Sequence, residues 1–257
     1  MADYRNLGAQ AAPAGTMDAS VDLGLRAYML RVYNLMALGL GITALFAAGT
    51  MLLAVTDVPN QYALPGDARY LTAFGAMLFA TPLKWVIMLA PLGLVFFMGF
   101  KIQSVQPSTA QAIFWGFAAL MGVSMSSIFL VYTPGSIVQT FLITATAFGA
   151  LSIYGYTTKR DLTAVGSFMF MGLIGIILAA IVNIFLQSSM LQFAISAIGV
   201  LVFAGLTAYD TQKTKEMYYA LNGEEMMGRA AVMAALSLYL DFINMFQFLL
   251  YFLGNRE

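Results

Sequence analysis

Between Tyr28 and Gly254 the sequence alternates long apolar runs with short polar breaks, and seven of the runs reach the length of a bilayer crossing, because ~20 helical residues span a hydrocarbon core of ~30 Å. Charged residues make up 9% of the chain and hydrophobic types 61%, against ~25% charged in soluble domains. So little charge cannot cover a water-facing surface. The pattern predicts an all-α integral membrane protein of seven transmembrane helices, with residues 1–26 as a mobile tail and 27–257 as the seven-helix domain. The tail has no apolar core behind a basic start, so it is not expected to be a cleaved signal peptide.

The polar breaks set the boundaries. The first span covers about Tyr28–Val55 and ends in a turn cluster, Thr56-Asp-Val-Pro-Asn-Gln. Ala37, Gly41, Ala44 and Ala48 share one of its faces and predict close packing there. Tyr70–Ala80 is too short to cross and is expected as a short helix at the surface. Thr81 then caps a second span, Pro82–Lys101, with Lys84 and Trp85 at an interface and a kink at Pro91. Ser108 with Gln111 and Ser136 with Gln139 read as capping boxes, opening spans that end near Tyr132 and Thr157. The fifth span covers Thr163–Leu186, with Gly172, Gly175 and Ala179 as packing positions. The sixth runs from Leu191 to about Asp210. Thr211–Arg229 reads as a polar loop, and the seventh span closes at Gly254. Arg5, Arg26, Arg31, Lys101, Lys159, Arg160, Lys213, Lys215 and Arg229 fall on one side, and Arg69, Lys84 and Arg256 on the other, nine against three. The positive-inside rule therefore predicts a cytoplasmic N-terminus and an outside C-terminus.

Lys+Arg and Asp+Glu balance at 12 each, so no bulk charge would recruit nucleic acid. There is no Cys and no His, which removes thiol chemistry, thiolate metal sites and the usual general base. Any proton chemistry falls to carboxylates, Tyr or Lys. Asp241 is the acidic residue that lies well inside a span, about 10 Å from its nearer border by the ~1.5 Å helical rise. Ser237 and Asn244 share its face at i−4 and i+3, and a polar stripe on a membrane-length helix must face protein or water. Asp210, at the end of the sixth span, shares a face with Thr207, Thr211 and Thr214. Two carboxylates brought into contact resist being ionised together, which supplies a pH sensor without histidine. Arg31 and Arg229 are candidate charge partners. Asn34, Asn183 and the cluster Ser124, Ser126 and Ser127 read as buried interhelical hydrogen-bonding groups. No cofactor is expected, and the seventh span has no Lys to form a retinal Schiff base.

Four stretches resemble the Bax inhibitor-1 family, also called the transmembrane Bax-inhibitor-motif family. They are Arg31-Val-Tyr-Asn-Leu-Met-Ala-Leu-Gly-Leu, Phe148-Gly-Ala-Leu-Ser-Ile-Tyr-Gly-Tyr-Thr-Thr-Lys-Arg-Asp-Leu162, Ala208-Tyr-Asp-Thr-Gln and Ala235-Leu-Ser-Leu-Tyr-Leu-Asp-Phe-Ile-Asn244. The last is the most specific. The resemblance implies a bacterial inner-membrane protein whose C-terminal helix is ringed by the other six. It also implies a pH-sensitive calcium leak gated by a hydrogen-bonded aspartate pair, which maps to Asp210 and Asp241. An arginine that latches one aspartate from the second span in the family has no counterpart here, Lys84 lying at the opposite end of that span.

The expected function is a non-enzymatic, pH-sensitive leak for calcium or another cation, since hard cations take oxygen ligands. The alternative is a non-catalytic regulator that binds a membrane protease or other membrane protein. A third reading, an intramembrane aspartyl protease, fits less well: the second aspartate of such enzymes follows Gly-x-Gly, whereas Asp241 follows Leu238-Tyr-Leu.

Overall fold

The computed structural model describes residues 14–64, 69–101, 104–221 and 223–255, and of 14–22 the backbone alone. The chain folds as α1 (Ala14–Ala54), a two-stranded antiparallel ribbon of β1 (Val55–Thr56) and β2 (Tyr70–Leu71), a short α2 (Ala73–Gly75), α3 (Leu83–Lys101), α4 (Pro107–Met125), α5 (Pro134–Thr157), α6 (Thr163–Leu186), α7 (Ser189–Ala220) and α8 (Glu224–Leu253). Seven of these helices, all but α2, are long and apolar enough to cross a bilayer, and the chain is an all-α, multi-pass membrane protein.

Several boundaries move from their expected places. Of the expected tail, Ala14–Arg26 is helical as the start of α1, while residues 1–13 lie outside the described residues. Tyr70–Ala80 is not one surface helix. It is a strand, a turn of α-helix capped by Thr72, and a π-turn over Ala76–Ala80. The predicted caps Ser108 and Ser136 give way to Gln106 and Thr133, each followed by a proline in the first turn. Proline presets the helical φ and lacks the N–H that would otherwise be orphaned, so it starts the helix ahead of the box. The largest difference is Thr211–Arg229. α7 continues to Ala220 and α8 starts at Glu224, leaving a turn in place of a loop. The extension is held from the side: the Gln212 amide accepts from the Leu162 N–H and donates to the Arg160 carbonyl, both at 2.8 Å, and Lys215 Nζ donates to the Tyr156 carbonyl at 3.0 Å.

α8 packs on α1, α4, α5 and α7. Its anchor is Tyr239, fully buried, with its ring set edge-on to Phe114 and Phe117. The Tyr239 hydroxyl lies 2.6 Å from Thr43 Oγ1. Thr43 in turn reaches the carbonyls of Gly39 and Ala118, at 3.0 and 2.9 Å. One hydroxyl pair thus ties α8 to α1 and α4, satisfying groups that lipid could not. On the opposite flank Phe242 meets Phe141 and Phe148 of α5. Two close helix–helix approaches need glycine: a Cβ at Gly122 would run into the Thr43 carbonyl oxygen, and one at Gly155 into that of Ala208. The predicted ridge of Ala37, Gly41, Ala44 and Ala48 instead faces outward. The face of α1 that packs carries Val32, Met36, Thr43, Ala47 and Thr50, with Thr43 hydrogen-bonded across to α4 and α8.

Candidate functional site

On the side of α8 that those four helices leave open lies a cavity of about 1140 Å³. Its walls come from α3, α4, α6, α7 and α8. Ser237, Asp241, Asn244 and Gln247 of α8 line it, as do Tyr209, Asp210 and Lys213 of α7. From Ser237 to Leu250, the last α8 residue on its wall, the cavity follows fourteen residues, about 20 Å of helix. It therefore extends over much of a bilayer core of ~30 Å.

The three charged residues among those that line it are Asp210, Asp241 and Lys213. Asp241 is 4% exposed, and its Oδ2 is buried without a hydrogen-bond partner. Asp210 is half-buried and within electrostatic reach of Asp241, as Lys213 is of Asp210. No hydrogen bond joins the two carboxylates directly. Asn244 Nδ2 donates to the Leu240 carbonyl at 2.8 Å, which turns its side-chain oxygen free of that bond. Gln247 is exposed and its amide bonds to no described residue. Gln247 thus adds an amide to the polar side of α8 that lines the cavity.

The other predicted site residues lie elsewhere. Thr207 does not line the cavity. It is fully buried and donates back to the Phe203 carbonyl at 2.7 Å. Thr211 donates to Ser152 of α5 at 3.4 Å and Thr214 to the Asp210 carbonyl of its own helix, so Thr211 faces α5 while Asp210 lines the cavity. Arg229 pairs within its own helix with Glu225 at 2.6 Å. Arg31 lines a separate cavity with Glu224 and Glu225. Neither arginine reaches the aspartates. Lys213, one helical turn beyond Asp210, takes the position assigned to them. Asn183 behaves as expected, donating to Gln192 and accepting from Ser188 N–H, whereas Asn34 is exposed.

The chain matches the family model described as "Inhibitor of apoptosis-promoting Bax1" over residues 25–257. The chain belongs to the Bax inhibitor-1 family. An uncharacterized protein of Caulobacter vibrioides is 47% identical over the whole of both chains. An uncharacterized protein of Rickettsia prowazekii is 50% identical over 92% of each. The inner membrane protein YbhL of Escherichia coli is 43% identical over 91% of this chain and 94% of its own.

For this family member, sequence reasoning missed Gln247, Tyr209 and Lys213 as cavity residues. Gln247 was within reach, since it continues the Ser237, Asp241, Asn244 stripe at the next i+3 step. The contribution of α3 and α6 to the wall carries no sequence signal, because Met88, Leu92 and Phe170 read as ordinary lipid-facing residues.

Proposed function

We propose that this protein is a pH-sensitive leak pathway for cations, with calcium the ion its chemistry fits best, and that it carries out no catalysis. The observation that carries the reading is a long cavity along α8, lined by polar side chains, in which Asp241 keeps a buried carboxylate oxygen without a partner. Native proteins rarely leave such an atom orphaned unless it has a task. Asp210 and Asp241 supply the charge, and Ser237, Asn244 and Gln247 add neutral oxygens of the kind a hard cation accepts. Protons and the cation compete for the same carboxylate oxygens, so cation occupancy falls as pH falls. Lys213 at the entrance offsets part of the negative charge and keeps affinity low enough for the ion to leave, as conduction demands.

The charge asymmetry of the loops supports a cytoplasmic N-terminus in a bacterial inner membrane, which puts Lys213 and Asp210 at the cytoplasmic mouth. The test is calcium flux into proteoliposomes across a pH series, with Asp241→Asn beside the parent. Parent flux should change with pH, and Asp241→Asn should alter that dependence. Equal flux and equal pH response in both would end the reading. If the parent shows no flux but purifies with a stoichiometric membrane partner, the protein is instead a non-catalytic regulator.

A further inference from the structure

The serines at the far end of α4 differ in what they do. α4 passes into a 3₁₀ segment over Ser126–Leu130. Ser126 is fully buried and donates to the Val123 carbonyl of the preceding turn at 2.6 Å, rather than bridging two helices as expected. Ser124 and Ser127 are half-buried, and their hydroxyls bond to no described residue. Both line the large cavity, and both also line a second one of about 240 Å³. Met88 of α3 is the third residue common to the two walls. The second cavity lies towards the far face, beneath Leu78 and Phe79 of the π-turn, and reaches Lys84, Leu130 and Val131. Ile87 also lines it, and because Pro91 has no N–H to give, the Ile87 carbonyl lacks its helical partner.

We propose that Met88, Ser124 and Ser127 form the far-side constriction between the aspartate cavity and the opposite face, and that the second cavity is the vestibule beyond it. This rests on the reading of the large cavity as a cation path. A methionine has three soft torsions and moves aside at small cost. The two hydroxyls then offer oxygens to a cation that sheds part of its water shell in passing. Lys84, with its ammonium 5.4 Å from the Trp85 ring centroid, places a positive charge at the vestibule mouth. That charge repels cations and holds the path to a slow leak.

The absence of cysteine makes single introduced thiols a clean test. Asn244→Cys reports the large cavity and Leu130→Cys the vestibule, each probed in sealed vesicles of either orientation with a membrane-impermeant cationic thiosulfonate. Leu130→Cys should react from the far face, and Asn244→Cys from the face that carries Lys213. Adding Met88→Ala should raise far-face labelling of Asn244→Cys about tenfold, a change of ~1.4 kcal/mol in the barrier, while Met88→Phe should leave it at the parent level. Lys84→Gln should speed the cationic reagent at Leu130→Cys and leave a neutral one unchanged. Far-face labelling of Asn244→Cys that is as fast with Met88 in place as with Met88→Ala overturns the constriction. Calcium flux is read separately: this labelling pattern without flux leaves the constriction standing and ends the leak reading alone.

Discussion

α6 and α8 are both membrane-length helices, and they invert the rule that holds in water. α6 is the most apolar of the seven and the least buried, with 6% of its most apolar window inside the protein. α8 is among the less apolar, carries Ser237, Asp241, Asn244 and Gln247, and has 61% of the same measure buried. In a bilayer the solvent is itself hydrocarbon, so a purely apolar surface gains nothing by leaving it. Polar groups do gain, because protein or trapped water is the environment that can satisfy them. At these two extremes the more apolar helix faces lipid, and the polar stripe marks a helix packed against α1, α4, α5 and α7.

The sharpest way to break that contrast is to truncate one large side chain on each helix and follow unfolding in detergent. Tyr239→Ala on α8 should cost ~3–5 kcal/mol. Leu178→Ala on α6, where Leu178 is 58% exposed, should stay within ~0.5 kcal/mol. Similar losses at both would show that α8 holds no privileged place. Next comes the reverse change, adding bulk. Gly155→Val drives a side chain into the Ala208 carbonyl and should cost ~1–3 kcal/mol. Gly175→Ala, with nothing within 4 Å of its added carbon, should be neutral or slightly stabilising; parity between the two would mean α5 and α7 can part freely. Removing one oxygen is finer still. Tyr239→Phe keeps the ring but strips the partner of Thr43, a loss of ~1 kcal/mol, and no loss would show that water replaces the hydroxyl.

The smallest effect belongs outside the membrane. Asp161 Oδ1 accepts the Thr163 N–H at 2.8 Å at the start of α6. Its hydrogen bonds to the Thr163 side chain and backbone hold its carboxyl below the ordinary range. A depressed carboxyl stabilises the fold above its unfolded-state pKa, and that contribution fades as pH falls through the folded-state value. The melting temperature of Asp161→Ala should therefore lie slightly below the parent's at neutral pH and meet it in acid. A gap that persists in acid would assign the effect to something other than this charge.

Much of the fold was legible because period and length suffice for membrane helices: the span read over Thr163–Leu186 coincides with α6 at both ends. The sequence misled where two local signals competed. Ser108 and Ser136 looked like caps, but the neighbouring prolines start their helices earlier. Thr211–Arg229 looked like a loop because it is polar, yet its lysines, glutamates and methionines favour helix once they stand beyond the bilayer. Of the site, the Ser237–Asp241–Asn244 face was readable, and so was Asp210 as a second carboxylate. Thr207 was misassigned, since three neighbouring residues on a helix can still point to different partners. The roles of Lys213 in place of Arg31 or Arg229, and of Thr43 opposite Tyr239, depend on contacts between distant segments, which no local pattern encodes.

Gln212 has one more consequence. With one amide it grips both sides of the turn between α5 and α6, and it stands two residues past Asp210. The short basic turn of Lys159 and Arg160 is thereby mechanically bolted to the carboxylate, half a helical turn away. Any displacement of that turn would be passed by these two bonds to α7, two residues from Asp210.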